Sequence, residues 1–154
     1  MIYVECKADL ALVKSITSIP KKEIIHRNGK SGVCQKLKEN KNCKGMVDED
    51  PGRTQPPYMR KLRLENELAQ DELKVFHDES NRNRIFILCP ALEEWILKAA
   101  KEADLDIERY SLPSTSKKLH RVINLDLSKF ERLLEELKDK APERLKALKK
   151  LLET

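Results

Sequence analysis

Met1-Ile2-Tyr3-Val4-Glu5-Cys6-Lys7-Ala8-Asp9 and Gly45-Met46-Val47-Asp48-Glu49-Asp50-Pro51-Gly52 decide how this chain is read. Each is a short apolar run whose last residues are acidic. Apolar runs of this length read as buried strands, and strands that end in carboxylates place negative charge along one edge of a sheet. In open α/β folds that edge is where ligands bind. Side chains alternate along an extended backbone, so Asp48 and Asp50 are expected on the same side of their strand. Glu5, Asp48 and Asp50 repel one another unless a cation sits between them, which makes Mg²⁺ or Mn²⁺ the expected cofactor.

Outward from these two stretches the pattern alternates. Leu10, Leu12, Val13 and Ile16 carry a helical spacing over residues 8–18, which Pro20 stops. Glu23-Ile24-Ile25-His26 reads as a second strand, followed by Asn28-Gly29-Lys30-Ser31-Gly32 as a glycine turn and Val33 to Lys38 as a short helix. Strand, helix, strand, helix, strand argues for a parallel sheet with right-handed crossovers. From Pro51 to about Gln70 the chain reads as loop with a charged stretch at Arg60, Lys61 and Arg63, a solvated helix face unless it grips a nucleic-acid backbone. Leu73–Phe76 and Arg84–Cys89 are apolar runs joined by a polar hairpin separator. Leu92 to Ala100 is an amphipathic helix in which Trp95 belongs to the core.

The remaining residues read as a connecting loop over 111–120 and a helix hairpin. Ser128 with Glu131 three positions on makes a capping-box pattern, and the second helix starts near Pro142. The expected organisation is an α/β domain over 1–110 and a helical extension over 111–154.

The chain has 154 residues, 31 Lys and Arg against 26 Asp and Glu, and a net charge of +5. That balance is compatible with a nucleic-acid partner without requiring one. Four cysteines at irregular spacings, with no Cys-x-x-Cys pair, argue against a zinc site and a disulfide framework. No apolar stretch approaches the ~18 residues of a membrane span, and the start of the chain lacks a signal-peptide layout. A cytoplasmic protein is expected, with no membrane partner; a protein partner and a homodimer both stay open.

The acidic strand ends carry a family resemblance. Val4-Glu5-Cys6-Lys7-Ala8-Asp9 resembles the first motif of Toprim domains, and Val47-Asp48-Glu49-Asp50-Pro51-Gly52 resembles their second, a strand ending in Asp-x-Asp. The likeness covers roughly residues 1–100. It is nearer to small stand-alone Toprim-related proteins and to the overcoming-lysogenization-defect nucleases than to primases or topoisomerases. The glycine that usually follows the first Glu is Cys6 here, and Pro51-Gly52-Arg53 follows the second motif.

The resemblance implies a Rossmann-like Toprim core with a mainly parallel four-stranded sheet flanked by helices. It also implies divalent-metal-dependent phosphodiester cleavage or phosphotransfer on nucleic acid. Glu5, Asp48 and Asp50 would be the metal ligands and catalytic set, with Glu5 a ligand or a general acid/base. Lys7 and Arg53, beside the acids, are the candidate substrate contacts. Glu93 is a candidate outer acid for a second metal, set against the plain reading that it favours the positive end of a helix. Asn28-Gly29-Lys30-Ser31-Gly32 lacks the spacing of a phosphate-binding loop. The alternative function is a non-catalytic Toprim-like scaffold that binds nucleic acid or a protein partner; a nucleotide-binding protein is a third, weaker option.

Overall fold

Alternation along three short strands sorts the apolar residues onto two faces. Ile2 and Val4 of β1 (Ile2–Val4), Met46 of β3 (Lys44–Asp48) and Phe86 and Leu88 of β6 (Asn83–Leu88) join one core. Tyr3, Val47, Ile85 and Ile87 join another on the opposite face. A sheet buried on both sides needs near-continuous apolar strands, which is what these stretches supply. The computed structural model describes residues 1–154.

The sheet has six strands in the order β2-β1-β3-β6-β5-β4, where β2 is Ile24–His26, β4 is Arg63–Leu68 and β5 is Leu73–Asp78. The strands β2, β1, β3 and β6 run parallel, while β5 and β4 pair antiparallel. The general α/β class is as expected, but the sheet is mixed and six-stranded rather than a mainly parallel sheet of four. The difference comes from the charged stretch after Pro57. It forms the one-turn helix α3 (Pro57–Arg60) and then an edge strand, not a loop or a solvated helix face. In β4, Arg63, Leu64, Glu65, Asn66 and Glu67 are all exposed; charges on an exposed edge discourage pairing with other chains.

Helix α1 (Lys7–Ile16) carries the chain from β1 outward to β2, and α2 (Gly29–Glu39) brings it back past β1 to β3. The two connections run in opposite directions, so right-handed crossovers place their helices on opposite faces. Accordingly, Leu12 and Val13 of α1 pack with the larger core, and Val33 and Leu37 of α2 with the smaller one. The helix α2 begins at Gly29, so the expected glycine turn is in fact its first turn. Gly45 allows α2 close to β3, since a Cβ there would stand 2.8 Å from Leu37 Cδ1.

The larger core continues into α4 (Leu92–Glu102), α5 (Ser116–Leu125), α6 (Ser128–Lys140) and α7 (Glu143–Glu153). Residues 111–154 thus carry three helices rather than a loop and a hairpin, and Leu119, Phe130, Leu133, Leu145 and Leu148 are buried with the α1 and α4 side chains. Ser128 is the first helical residue of α6 and Leu127 is its N-cap, so the expected capping box on Ser128 does not form; the Ser128 N–H instead donates to Asp126 Oδ1 at 2.9 Å. No helix is long and apolar enough to cross a membrane.

One buried amide joins the far end of the sheet. Asn83 is fully buried; its Nδ2 donates to Leu37 O at 2.7 Å and Asn40 O at 3.0 Å, and its Oδ1 accepts from Cys43 N at 2.8 Å. Replacing Asn83 by Ala strands three backbone groups without water. Chemical denaturation of Asn83→Ala should therefore show a loss of about 3 kcal/mol; a loss below about 0.5 kcal/mol would mean those groups find other partners.

Candidate metal site at the carboxyl ends of the parallel strands

The chain leaves β1 in one direction and reaches β3 from the other, so the carboxyl ends of β1 and β3 flank the point where the strand order reverses. Connections part there and leave a crevice. Glu5 follows β1 directly and Asp48 ends β3. The ligand oxygens of Glu5, Asp48 and Asp50 all lie within 4.8 Å of one another.

Each acid is held differently. Glu5 Oε1 accepts the Asp48 N–H at 2.8 Å, which ties the two strand ends together. Asp48 Oδ1 accepts the Leu92 N–H at 3.0 Å and so caps the first turn of α4. Asp50 does not reach the cluster by strand alternation: the strand ends at Asp48, and Asp50 adopts a left-handed conformation with φ 48. Asp tolerates that region better than most residues. Its backbone is fixed by a bond from Asp50 N to Pro90 O at 3.0 Å. The intervening Glu49 turns away and pairs with Lys74 at 2.6 Å.

Two more acids crowd the site. Asp9 is buried, and its Oδ2 accepts from Cys6 N at 3.1 Å and Cys6 Sγ at 3.0 Å. Glu93 lies in the first turn of α4, and its Oε1 is 2.6 Å from His120 Nδ1. Glu93 is outside the group whose oxygens converge, although its charge is felt by Glu5, Asp9 and Asp48.

Burial raises the Asp48 carboxyl far above the usual range, and the charges of Asp9, Glu5, Glu93 and Asp50 push it further the same way. Glu5 is raised by burial, with Asp50 adding to it, against the lowering effect of the Asp48 N–H. Asp9 is raised by burial first, and Glu5 and Glu93 add to it. Carboxylates in this arrangement hold a proton or a cation.

The nearest fixed positive charge is Lys30. Its Nζ donates to Glu49 O at 3.1 Å and Gln55 Oε1 at 2.9 Å and stands 3.5 Å from Asp50 Oδ2. The signal for it was the Lys inside Asn28-Gly29-Lys30-Ser31-Gly32: Gly29, at φ 73, starts α2 and aims Lys30 at the neighbouring strand end. Of the two expected substrate contacts, Lys7 is exposed and lines a cleft of about 660 Å³ that Glu5 also lines. Arg53 is exposed in the turn after Asp50, and its backbone N–H donates to Asp50 O at 3.2 Å.

The donor set suits a hard divalent cation. It is all oxygen, and a carboxylate bonded through one oxygen keeps the other free: Glu5 uses Oε1 and Asp48 uses Oδ1 for the fold. Mg²⁺ is commonly held by one or two carboxylates and several waters.

Metal-free protein should lose stability as pH rises. The Asp48 carboxyl moves from 3.8 up to about 9, so the folded protein binds that proton more tightly than the unfolded chain. Its contribution is complete below the unfolded value and is lost as pH climbs through the folded one. In EDTA, the thermal midpoint should fall between about pH 5 and 9, and Asp48→Asn should flatten that slope. A native midpoint that stays level over this interval would show that the cluster carries no such strain.

Comparison of the chain with family models, with curated proteins and with solved structures gives no match.

Proposed function

We propose that the chain is a divalent-metal-dependent enzyme of Toprim-like type that cleaves or transfers phosphodiesters of nucleic acid. One observation carries the reading: three carboxylates from two neighbouring parallel strand ends converge within 4.8 Å at the strand-order reversal. Glu5, Asp48 and Asp50 would hold Mg²⁺ or Mn²⁺. A bound divalent ion supplies a polarised phosphoryl oxygen and a water of lowered pKa.

The chain's own residues supply the rest. The Asp48 N–H orients Glu5, and the Leu92 N–H orients Asp48, so neither carboxylate is free to swing away from the crevice. Lys30 offsets the charge of Asp50 and brings a cation to the edge where a phosphate would sit. Lys7 lines the same cleft as Glu5, where it would meet the backbone of a substrate. Arg53, one turn beyond Asp50, offers a guanidinium suited to bidentate phosphate contact. Glu93 is reserved to an outer role by its contact with His120.

The alternative, a non-catalytic scaffold, draws on a specific observation too. Glu5 and Asp48 both have structural work at the strand ends that needs no metal. The two readings part on metal affinity. Electron paramagnetic resonance of Mn²⁺ with the native chain should show binding that an Asp48→Asn/Asp50→Asn variant, folded by circular dichroism, weakens at least about tenfold. Cleavage of labelled single- and double-stranded nucleic acid in Mg²⁺ or Mn²⁺ should fall by about a hundredfold or more in the same variant. Equal Mn²⁺ binding by both proteins would overturn the enzyme reading and leave the scaffold.

A further inference from the structure

We propose that the cleft beside Glu5, bordered by the end of α5, seats one single strand of nucleic acid, with the basic face of α5 as its phosphate track. The assignment deepens the proposed site by naming the form of its substrate, and rests on that reading for the chemistry alone.

The cleft is bounded on one side by the ends of β1 and β2 and the start of α1, and on the other by the end of α5 and the turn into α6. At about 660 Å³ it is open to one extended strand of a nucleotide or two and too small for a paired duplex. Glu5 stands in its wall, so a strand lying there passes the one member of the carboxylate cluster that lines the cleft.

Its charge is the second observation. Residues 111–125 contain no Asp or Glu in a chain that has 26 of them, and the next residue, Asp126, is the one acid that this side brings to the cleft. On α5, Leu119 and Ile123 face the core, while Lys117, Lys118 and Arg121 are exposed. Lys117, Arg121 and Asn124 follow one another at helical spacing along one line, and Asn124 lines the cleft. The line ends where Lys7 and Arg27 take over on the opposite wall. None of these five cations forms an ion pair, although the protein makes eleven elsewhere. Arg27 Nε is moreover buried without a hydrogen-bond partner. Cations left unpaired along an exposed helix face that runs to a cleft holding two more fit a polyanion.

The third observation is Leu125, which is 87 % exposed, more than any other large apolar side chain, and lies on the rim of this cleft. An apolar side chain on the rim of the cleft, where the basic face of α5 ends, has a use if unstacked bases rest against it. An anionic membrane would meet α5 as a flat surface and leave the cleft wall, with Arg27, out of contact.

The test is fluorescence anisotropy in EDTA with labelled oligothymidylate and oligouridylate of about a dozen residues. Native protein should bind the deoxy strand, the ribo strand or both, and the ratio reports which sugar it takes. Lys117→Glu/Lys118→Glu/Arg121→Glu, all exposed positions, should weaken binding at least tenfold and flatten its salt dependence. Leu125→Ala should weaken it severalfold with an unchanged salt slope. Circular dichroism checks that both variants are folded.

Native-like affinity in the charge-reversed variant, no binding by native protein, equal affinity for a duplex, or preference for phosphatidylserine vesicles would each overturn the proposal. Failure of the metal reading is seen separately, in Mn²⁺ resonance, where the charge-reversed variant should match the native chain.

Discussion

Like charges forced together at the end of a parallel sheet are the constraint around which this protein is arranged. Glu5 and Asp48 cannot separate, because the backbone of one bonds the side chain of the other across neighbouring strands. Asp50 is held by its own backbone bond to Pro90, and Asp9 is buried in the first turn of α1. Four carboxyls in one place are tolerable only if protons, dipoles or cations offset them. The structure provides some of each: raised protonation at Asp48, Asp9 and Glu5, the N-terminus of α4 at Asp48, and Lys30 at Asp50.

Rigidity at that edge comes from the rest of the molecule. The larger core runs without interruption from the sheet through α1 and α4 to the three helices of residues 111–154. Arg144 of α7 is buried and reaches back to Glu72 at 3.3 Å and Glu102 at 2.9 Å, with its guanidinium 5.3 Å from the Trp95 ring centroid. A buried guanidinium is costly unless all its partners are in place, so α7 is held in one register against α4. The placement of α4 in turn fixes the Leu92 N–H that holds Asp48.

Much of this was legible in the sequence, for reasons that differ by element. The apolar strands β1, β3 and β6 were clear because each is buried on both faces. The convergence of Glu5, Asp48 and Asp50 was legible as well, but the argument from strand alternation was the wrong one, since a left-handed Asp50 brings the pair together. Lys30 was hidden because two glycines read as a turn, whereas Gly29 begins a helix and Gly32 lets it pass Arg27, whose Cβ lies 3.0 Å from where a Cβ on Gly32 would stand. Helix α5 was hidden by the Ser, Pro and Thr that precede it, although Leu119 and Ile123 already carry the i, i+4 spacing. The edge strand β4 was missed because a strand exposed on both faces has no apolar alternation to read.

Structural use of a carboxylate and ligand use of it are not rivals here. Each group has two oxygens, and the fold engages one. With Oε1 of Glu5 and Oδ1 of Asp48 each held by a backbone N–H, both side chains are partly ordered in advance, so a cation taken up by the remaining oxygens would cost less side-chain entropy. A site assembled from flexible acids would have to order them at the moment of binding. This one has its geometry supplied by the bonds that close the sheet edge, so the same two hydrogen bonds that hold the strand ends together also preorganise the crevice.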